Sequence, residues 1–453
     1  RLVVRAEGEL RPDRVPPGNV PRDPKDGFAN SQHPDGAFDF FPYAGIHRPV
    51  VLFTLPKDGI YDVTAVTELA AGRARLHVRV EAPRAAGRVR AALAGFDTVT
   101  ESEGALVDGG ATLVVEVPKP RLWAAGEPHL YELAVELVAQ GAVVDRVALA
   151  VGLRTVTVDG KALLVNDRPV YLRGFGRHED FPIAGRGLVP PVVVKDYALM
   201  RWIGANSFRT THYPYSDEML DLADRLGFLV IAETPAVGLF FDEAGLERRL
   251  SLCRAFTEEL VLRDKNHPSV VAWSLANEPH SRRPEAHAFF ANLVAHARSL
   301  DSTRPVTLVS YLGAEETSFE LCDFVSVNRY NGWYTQSGRI AEGMGLLSAE
   351  LDRIHERFGK PVLLSEFGAD AVPGSHAEPS EMFTEEYQAE MIAAVIGVLR
   401  QKDYVMGEHV WNLCDFKTGQ AIHRVSGLNY KGVFTRDRRP KQAARTLKAL
   451  WER

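Results

Sequence analysis

Eight short apolar runs in the C-terminal two-thirds of the chain constrain its fold more than any other feature. They lie at residues 170–175, 207–211, 228–233, 270–275, 306–310, 324–328, 362–365 and 405–411. Amphipathic helical stretches separate most of them, at 194–203, 218–226, 254–263, 286–300, 349–358 and 385–400. A strand that is apolar throughout buries both faces, which is the habit of a parallel sheet covered by helices. Eight β/α units in succession predict a closed (β/α)8 TIM barrel over residues 153–453.

The texture upstream is different. Residues 49–152 alternate with a period of two, as in Arg75-Leu76-His77-Val78-Arg79-Val80 and Leu133-Ala134-Val135-Glu136-Leu137. Short alternating strands between turn signals, over about 100 residues, predict an immunoglobulin-like β-sandwich. Residues 1–48 are broken by Pro12, Pro16, Pro17, Gly18, Pro21 and Pro24 and cannot form a core of their own. They read as the end of a further β domain, with residues 1–10 as a strand already under way. The chain opens on Arg1, so more of that domain is expected upstream. The fold class is multidomain, β plus α/β, as expected for 453 residues.

Composition excludes several functions. A net charge of -6 with no long basic run gives no sign of a nucleic-acid partner. No stretch reaches the roughly 18 apolar residues needed to span a bilayer, so no membrane partner is expected. Cys253, Cys322 and Cys414 have no CxxC spacing, which argues against a disulfide framework or a cysteine zinc site. Their low, odd count fits a reducing, cytoplasmic compartment. His267, His280, His287 and His296 are not expected to gather with carboxylates, so no metal site is implied.

In such barrels the chemistry sits at the C-terminal ends of the strands. Those ends carry Arg177-His178-Glu179-Asp180, Thr211-His212-Tyr213, Asn277-Glu278-Pro279, Asn328-Arg329-Tyr330, Glu366-Phe367-Gly368 and Trp411-Asn412. Glu278 and Glu366 are three β/α units apart, which puts them on strands 4 and 7, facing each other across the mouth. Glycoside hydrolysis needs one carboxylic acid to protonate the leaving oxygen and one carboxylate to attack or to activate water. Taken singly, a strand-end glutamate bonding to a loop is the ordinary case; the pair beside Asn277 and Trp411 is not.

The segment Trp273-Ser274-Leu275-Ala276-Asn277-Glu278-Pro279 resembles the acid/base signature of glycoside hydrolase family 2. Ser365-Glu366-Phe367-Gly368 resembles the nucleophile segment of that family, and Asn266-His267-Pro268-Ser269-Val270 is similar to the block before strand 4. The likeness runs from about residue 38 to the C-terminus. It implies that Glu278 is the general acid/base and Glu366 the nucleophile of a retaining double displacement, with carboxyl groups about 5–5.5 Å apart. It also implies that Asn277 bonds the hydroxyl beside the reacting carbon and that Tyr330 orients Glu366. No cofactor is implied. Residues 1–48 would be the C-terminal remnant of a jelly-roll sugar-binding domain, and a homo-oligomer, dimer or tetramer, is expected.

The family includes galactosidases, mannosidases and glucuronidases, so the fold leaves the sugar open. The segment Arg424-Val425-Ser426-Gly427-Leu428-Asn429-Tyr430-Lys431 bears on it. Lys431 offers a point charge, Asn429 an amide and Arg424 a fork, which together suit a sugar carboxylate. Composition alone would allow a basic surface loop. The Asn-x-Lys element resembles the one with which the glucuronidases of the family hold that carboxylate, which implies a small-molecule or oligosaccharide β-glucuronide as substrate. The segment from Asp39 to Arg48 resembles one that closes the sugar-binding domain, with Asp39 reaching a distal hydroxyl. The strand 6 loop, Asn328 to Tyr334, would place Tyr334 near the carboxylate, and His178 and Trp411 would line the pocket. A β-galacturonide remains the rival substrate; a β-galactoside would leave Asn429 and Lys431 unexplained. A catalytically impaired carbohydrate-binding fragment is the alternative of another class, and the presence of Glu278, Glu366, Asn277 and Tyr330 speaks against it. Three departures stand out: most of the jelly-roll sugar-binding domain is absent from this sequence, Phe38 stands where a histidine is usual, and an extra Leu428 precedes Asn429; separately, a short connection from Val237 to Arg249 would leave the mouth open.

Overall fold

The computed structural model describes residues 2–19, 32–241 and 245–452. Seven antiparallel strands form the sandwich: β1 (Asp62–Ala70), β2 (Arg73–Glu81), β3 (Arg88–Gly95), β4 (Thr98–Ala105), β5 (Gly110–Val117), β6 (Tyr131–Ala139) and β7 (Ala142–Val151). One sheet has the order β1-β2-β5 and the other β4-β3-β6-β7. The period of two explains the packing. In β2, Ala74, Leu76, Val78 and Val80 point into the core while Arg73, Arg75 and Arg79 face water.

A small antiparallel meander follows, β8 (Val156–Val158), β9 (Leu163–Val165) and β10 (Arg168–Val170). Its Leu163 and Val165 pack with Trp123 and with Leu172, Leu229 and Ile231, closing the N-terminal end of the barrel. The barrel strands are β11 (Leu172–Gly176), β12 (Ser207–Arg209), β13 (Leu229–Glu233), β14 (Val270–Asn277), β15 (Val306–Ser310), β16 (Val325–Asn328), β17 (Val362–Glu366) and β18 (Val405–Val410). Every neighbouring pair is parallel, and β11 pairs with β18 to close the ring. The helices are α1 (Pro190–Ile203), α2 (Asp217–Leu226), α3 (Leu246–Asp264), α4 (Pro284–Leu300), α5 (Ile340–Phe358), α6 (Glu385–Leu399) and α7 (Gln442–Trp451). Between β15 and β16 two 3-10 turns, Gly313–Glu315 and Thr317–Leu321, stand in for a helix.

Two expectations need correction. Residues 2–10 form no strand, and Leu2, Val3 and Val4 are exposed. A strand is defined by a hydrogen-bonded neighbour, and among the described residues none pairs with this segment. Helices α3 and α5 also start well before residues 254 and 349. Their first turns are too polar or glycine-rich for hydrophobic periodicity to register, as Glu247, Arg248 and Arg249 in α3 and Gly343 and Gly345 in α5 illustrate. The segment around Asp39 lacks regular structure but packs on the barrel mouth. His33 bridges Gln420, the Phe41 N–H donates to the Lys417 carbonyl at 2.9 Å, and Phe38 and Phe40 join the barrel core.

Candidate functional site

Glu366 is the last residue of β17 and Glu278 follows β14 directly, so strand length alone delivers both carboxylates to the mouth. Glu278 has φ +48°, a left-handed conformation that costs a non-glycine residue energy and is found where surrounding structure enforces it. The Asn328 amide donates to Glu278 Oε1 at 2.7 Å. Glu366 is bonded more heavily: Arg209 donates to its Oε1, and the Tyr330 hydroxyl donates to Oε2 at 2.7 Å. Burial raises the Glu366 carboxyl and the Glu278 charge adds to the rise, while Arg209 and the Tyr330 hydroxyl oppose it. Burial raises Glu278 as well, against the pull of its hydrogen bond from Asn328.

Around the pair lies a network that the motifs did not single out. Arg209, at the end of β12, has no solvent exposure. Its Nη1 donates to both Glu233 oxygens, at 2.9 and 2.7 Å, and reaches Asn277 Oδ1 at 3.4 Å. His212 Nδ1 lies 2.7 Å from Glu233, its Nε2 lies 3.9 Å from Glu366, and Ser274 donates to Glu233 at 2.8 Å. The sequence did carry one signal: an arginine and a glutamate inside strands otherwise fully buried must have partners, because an unpaired buried charge is costly. Asn277 Oδ1 also faces the Asn328 amide at 3.3 Å, so the Asn277 amide is oriented from two sides.

The residues expected to hold a carboxylate come together one step further out. Lys431 and Asn429 have no exposure, and Arg424 is nearly buried. Lys431 Nζ donates to the Tyr334 hydroxyl at 2.9 Å and to Asp370; Arg424 Nη2 donates to Tyr334 at 2.8 Å. Asp39 takes the Arg424 fork, the Thr418 hydroxyl at 2.8 Å and the Asn429 amide at 2.8 Å. Two cations therefore face two carboxylates of the chain, the partly exposed Asp39 and the buried Asp370. Burial opposes the charge on both, and Arg424 beside Asp39 and Lys431 beside Asp370 outweigh it, holding each below the usual range. Asp370, four residues past Glu366, was not anticipated.

His178 and Trp411 sit on the same side. Trp411 stacks on His212 with ring centroids 5.2 Å apart, and His178 lies edge-on to Trp411. His178 Nδ1 meets the Tyr213 hydroxyl at 3.2 Å, and Nε2 is buried without a partner. Burial and the nearby cationic groups hold this imidazole well below 6.5, hence neutral. Phe38 stacks on Phe40 with centroids 4.5 Å apart, an apolar contact at the place where a histidine was expected. The connection thought to open the mouth falls partly on 242–244, outside the described residues.

The expectation about His267 is overturned. Its ring lies with Asp221 and Asp224, the ligand-type atoms all within 4.8 Å of one another. Asp224 is committed to structure, with His267 Nδ1 at 2.6 Å on one oxygen and the Ser269 N–H at 3.0 Å on the other. The two are more than 40 residues apart in the chain, so spacing could not reveal the cluster. No described helix is long and apolar enough to cross a membrane.

Comparison with known proteins places the whole chain. The family model described as glycosyl hydrolases family 2, TIM barrel domain, matches residues 156–453, and the one described as glycosyl hydrolases family 2 matches residues 54–154. A β-glucuronidase of Paenibacillus borealis is 40% identical over 469 aligned positions, covering 100% of this chain and 77% of that protein. The β-glucuronidase of Mus musculus is 38% identical, covering 100% of this chain and 71% of its own. Among solved structures, the β-D-glucuronidase of Dictyoglomus thermophilum superposes with a TM-score of 0.89 at 42% identity, covering 98% of this chain and 77% of that one. A β-glucuronidase from Ruminococcus gnavus in complex with uronic deoxynojirimycin gives 0.90 at 37% identity, covering 98% of this chain and 76% of that one.

Proposed function

The chain belongs to the glycosyl hydrolases family 2, and on that premise we infer that it hydrolyses β-D-glucuronides with retention, with Glu366 as nucleophile and Glu278 as acid/base. Burial raises both carboxyls, and the Glu278 charge adds to the rise at Glu366. The first proton to leave comes from Glu366, because only Glu366 accepts from a guanidinium and a phenol. The remaining proton stays on Glu278. That asymmetry is what the chemistry requires. In the first step Glu366 attacks the anomeric carbon while the glycosidic oxygen takes the Glu278 proton and leaves as the alcohol. In the second, Glu278 removes a proton from water, the water oxygen bonds to the anomeric carbon, and the ester to Glu366 breaks.

The observation that carries the choice of sugar is the buried cluster of Lys431, Arg424, Asn429 and Tyr334 beside the carboxylate pair. Lys431 spends two of its three donors on Asp370 and Tyr334, which leaves one beside the pair for a sugar carboxylate. Asn277 is proposed to bond the hydroxyl next to the anomeric carbon and Asp39 a distal hydroxyl, with His178 and Trp411 as pocket wall. The carboxylate clamp does not itself distinguish epimers, so matched aryl β-glucuronide and β-galacturonide substrates are the decisive pair. Glucuronide turnover should exceed galacturonide turnover. With the glucuronide, Glu366→Gln should lower kcat/KM by at least about a thousandfold, and Glu278→Gln should do so most for poor leaving groups. Wild-type rates in both variants would show the roles to be misassigned. We further propose that residues 1–48 are the end of a sugar-binding domain and that the protein is a homo-oligomer. Three buried free thiols favour a reducing, cytoplasmic compartment.

A further inference from the structure

Arg209 lies between two carboxylates that have different jobs. One guanidinium nitrogen, Nη1, is given to Glu233 and the other, Nη2, to Glu366. All three side chains are buried, at 0%, 0% and 5% exposure, so water screens none of these charges. Glu233 is held in place by Ser274 at 2.8 Å and by His212 at 2.7 Å, and its backbone N–H bonds the Thr210 hydroxyl at 2.9 Å. It is the last residue of β13, and it is linked to Glu366 through Arg209, which donates to both. A barrel that needed only a neutral floor would not bury this glutamate, because pairing it with Arg209 costs desolvation on both sides.

We propose that Glu233 is a positioning residue that shares the Arg209 charge with the Glu366 nucleophile and so sets the pH range over which that nucleophile is ionised. The proposal rests on the reading of Glu366 as nucleophile. The physical argument is one of charge balance. With Glu233 charged, Arg209 is neutralised from below and offers Glu366 a directed hydrogen bond but only part of its attraction. The Glu366 carboxylate then stays basic enough to attack, and its partner Glu278 keeps its proton. Without the Glu233 charge, Glu366 faces an uncompensated guanidinium, becomes a weaker base and a weaker nucleophile, and ionises at lower pH. The other groups facing this network are His212 and Tyr330 around Glu366, Glu278 across the mouth, His178 from the segment after β11 and His409 from β18. Burial holds His178 and His409 below the usual imidazole range, so neither supplies a competing positive charge near neutral pH.

The test is the pH profile of kcat/KM for an aryl glucuronide with an acidic phenol as leaving group. Such a substrate needs little help from Glu278, so the acid limb reports Glu366. Glu233→Gln should move that limb down by about one pH unit. Glu233→Asp keeps the buried ion pair, and with it the fold, but draws the charge back by one methylene. It should shift the limb in the same direction by a smaller step, which keeps the idea testable where the glutamine variant does not fold. An acid limb that stays at the wild-type pH in Glu233→Asp, or moves upward in either variant, overturns the proposal even if kcat falls. A failure of the underlying reading would look different: Glu366→Gln would remain active while the wild-type profile kept its acid limb.

Discussion

Lys431 has no contact with solvent, yet it keeps two acceptors, Asp370 and the Tyr334 hydroxyl, and its ammonium lies 4.6 Å from the centre of the Tyr334 ring. An ammonium has three donors, so one remains for a ligand. That single donor is worth more in a dry site than at a surface, because no water competes for it. Replacing Lys431 with alanine should lower kcat/KM on an aryl glucuronide by about 100- to 1000-fold and spare any side activity on galactosides. Equal losses on both substrates would remove the case for a carboxylate clamp. Asp370 belongs to the same cluster and has a second consequence. Burial opposes its charge, but Lys431 and Arg424 pull its carboxyl below the ordinary 3.8. A group with a depressed folded pKa contributes stability that is present above the unfolded value and is lost as pH falls through the folded one. Asp370→Asn should therefore be destabilised at neutral pH by about 3–5 kcal/mol, and its deficit against wild type should shrink as melts are taken below pH 4. A deficit that stayed constant down to the acid end would mean that Asp370 acts through packing rather than charge.

At the scale of elements, the block Asn266-His267-Pro268-Ser269 shows what a loop can hold together. Asn266 donates to the Val63 carbonyl at 2.8 Å and accepts from the Ala65 N–H at 3.0 Å, pairing with β1 as a strand residue would. Its neighbour Lys265 bonds Asp62, and His267 bonds Asp224 on α2. One short turn before β14 thus ties the sandwich to the barrel. Asn266→Ala leaves two backbone groups of β1 without their partner, at a cost of about 1–3 kcal/mol. The melting temperature should fall by about 2–6 °C with kcat on an aryl glucuronide unchanged, since the turn lies at the other end of β14 from Glu278. An unchanged melting temperature would show that the sandwich is held by other contacts. The same level explains what could be read in advance. The eight barrel strands were legible because each is a run of residues buried on both faces, and β15 was bounded to the residue at Val306–Ser310. The start of α3 was not legible, because its first turn carries Glu247, Arg248 and Arg249 instead of an apolar stripe. The carboxylate pair was legible from strand ends. The partner of Arg209 was not, because Glu366 lies 157 residues away and only the register of the closed barrel brings the two together.

For the molecule as a whole, the most unusual surface is the linker between the mouth segment and the sandwich. Residues 50–55 lie outside any strand, with Leu52 97% exposed and Val51 and Phe53 both at 70% or more. Val50 and Leu55 are exposed as well, and Ile46 and Tyr61 extend the apolar surface on either side. Scattered apolar residues on a surface are ordinary, but a continuous run of β-prone ones with free backbone groups invites pairing with another chain. The run is remote from Glu278 and Glu366 in bonding: none of its side chains has a polar contact with the site. Its effect should therefore appear in association and not in chemistry. Replacing Leu52 with Asp and Phe53 with Lys puts opposite charges side by side on the exposed run without touching the core. Static light scattering across a concentration series should then show lower average mass and less aggregation on heating than wild type, with kcat and KM for an aryl glucuronide unchanged. If the average mass did not change, the proposed homo-oligomer would have to be built on another face. If activity fell together with the average mass, association through this run would be part of the working enzyme.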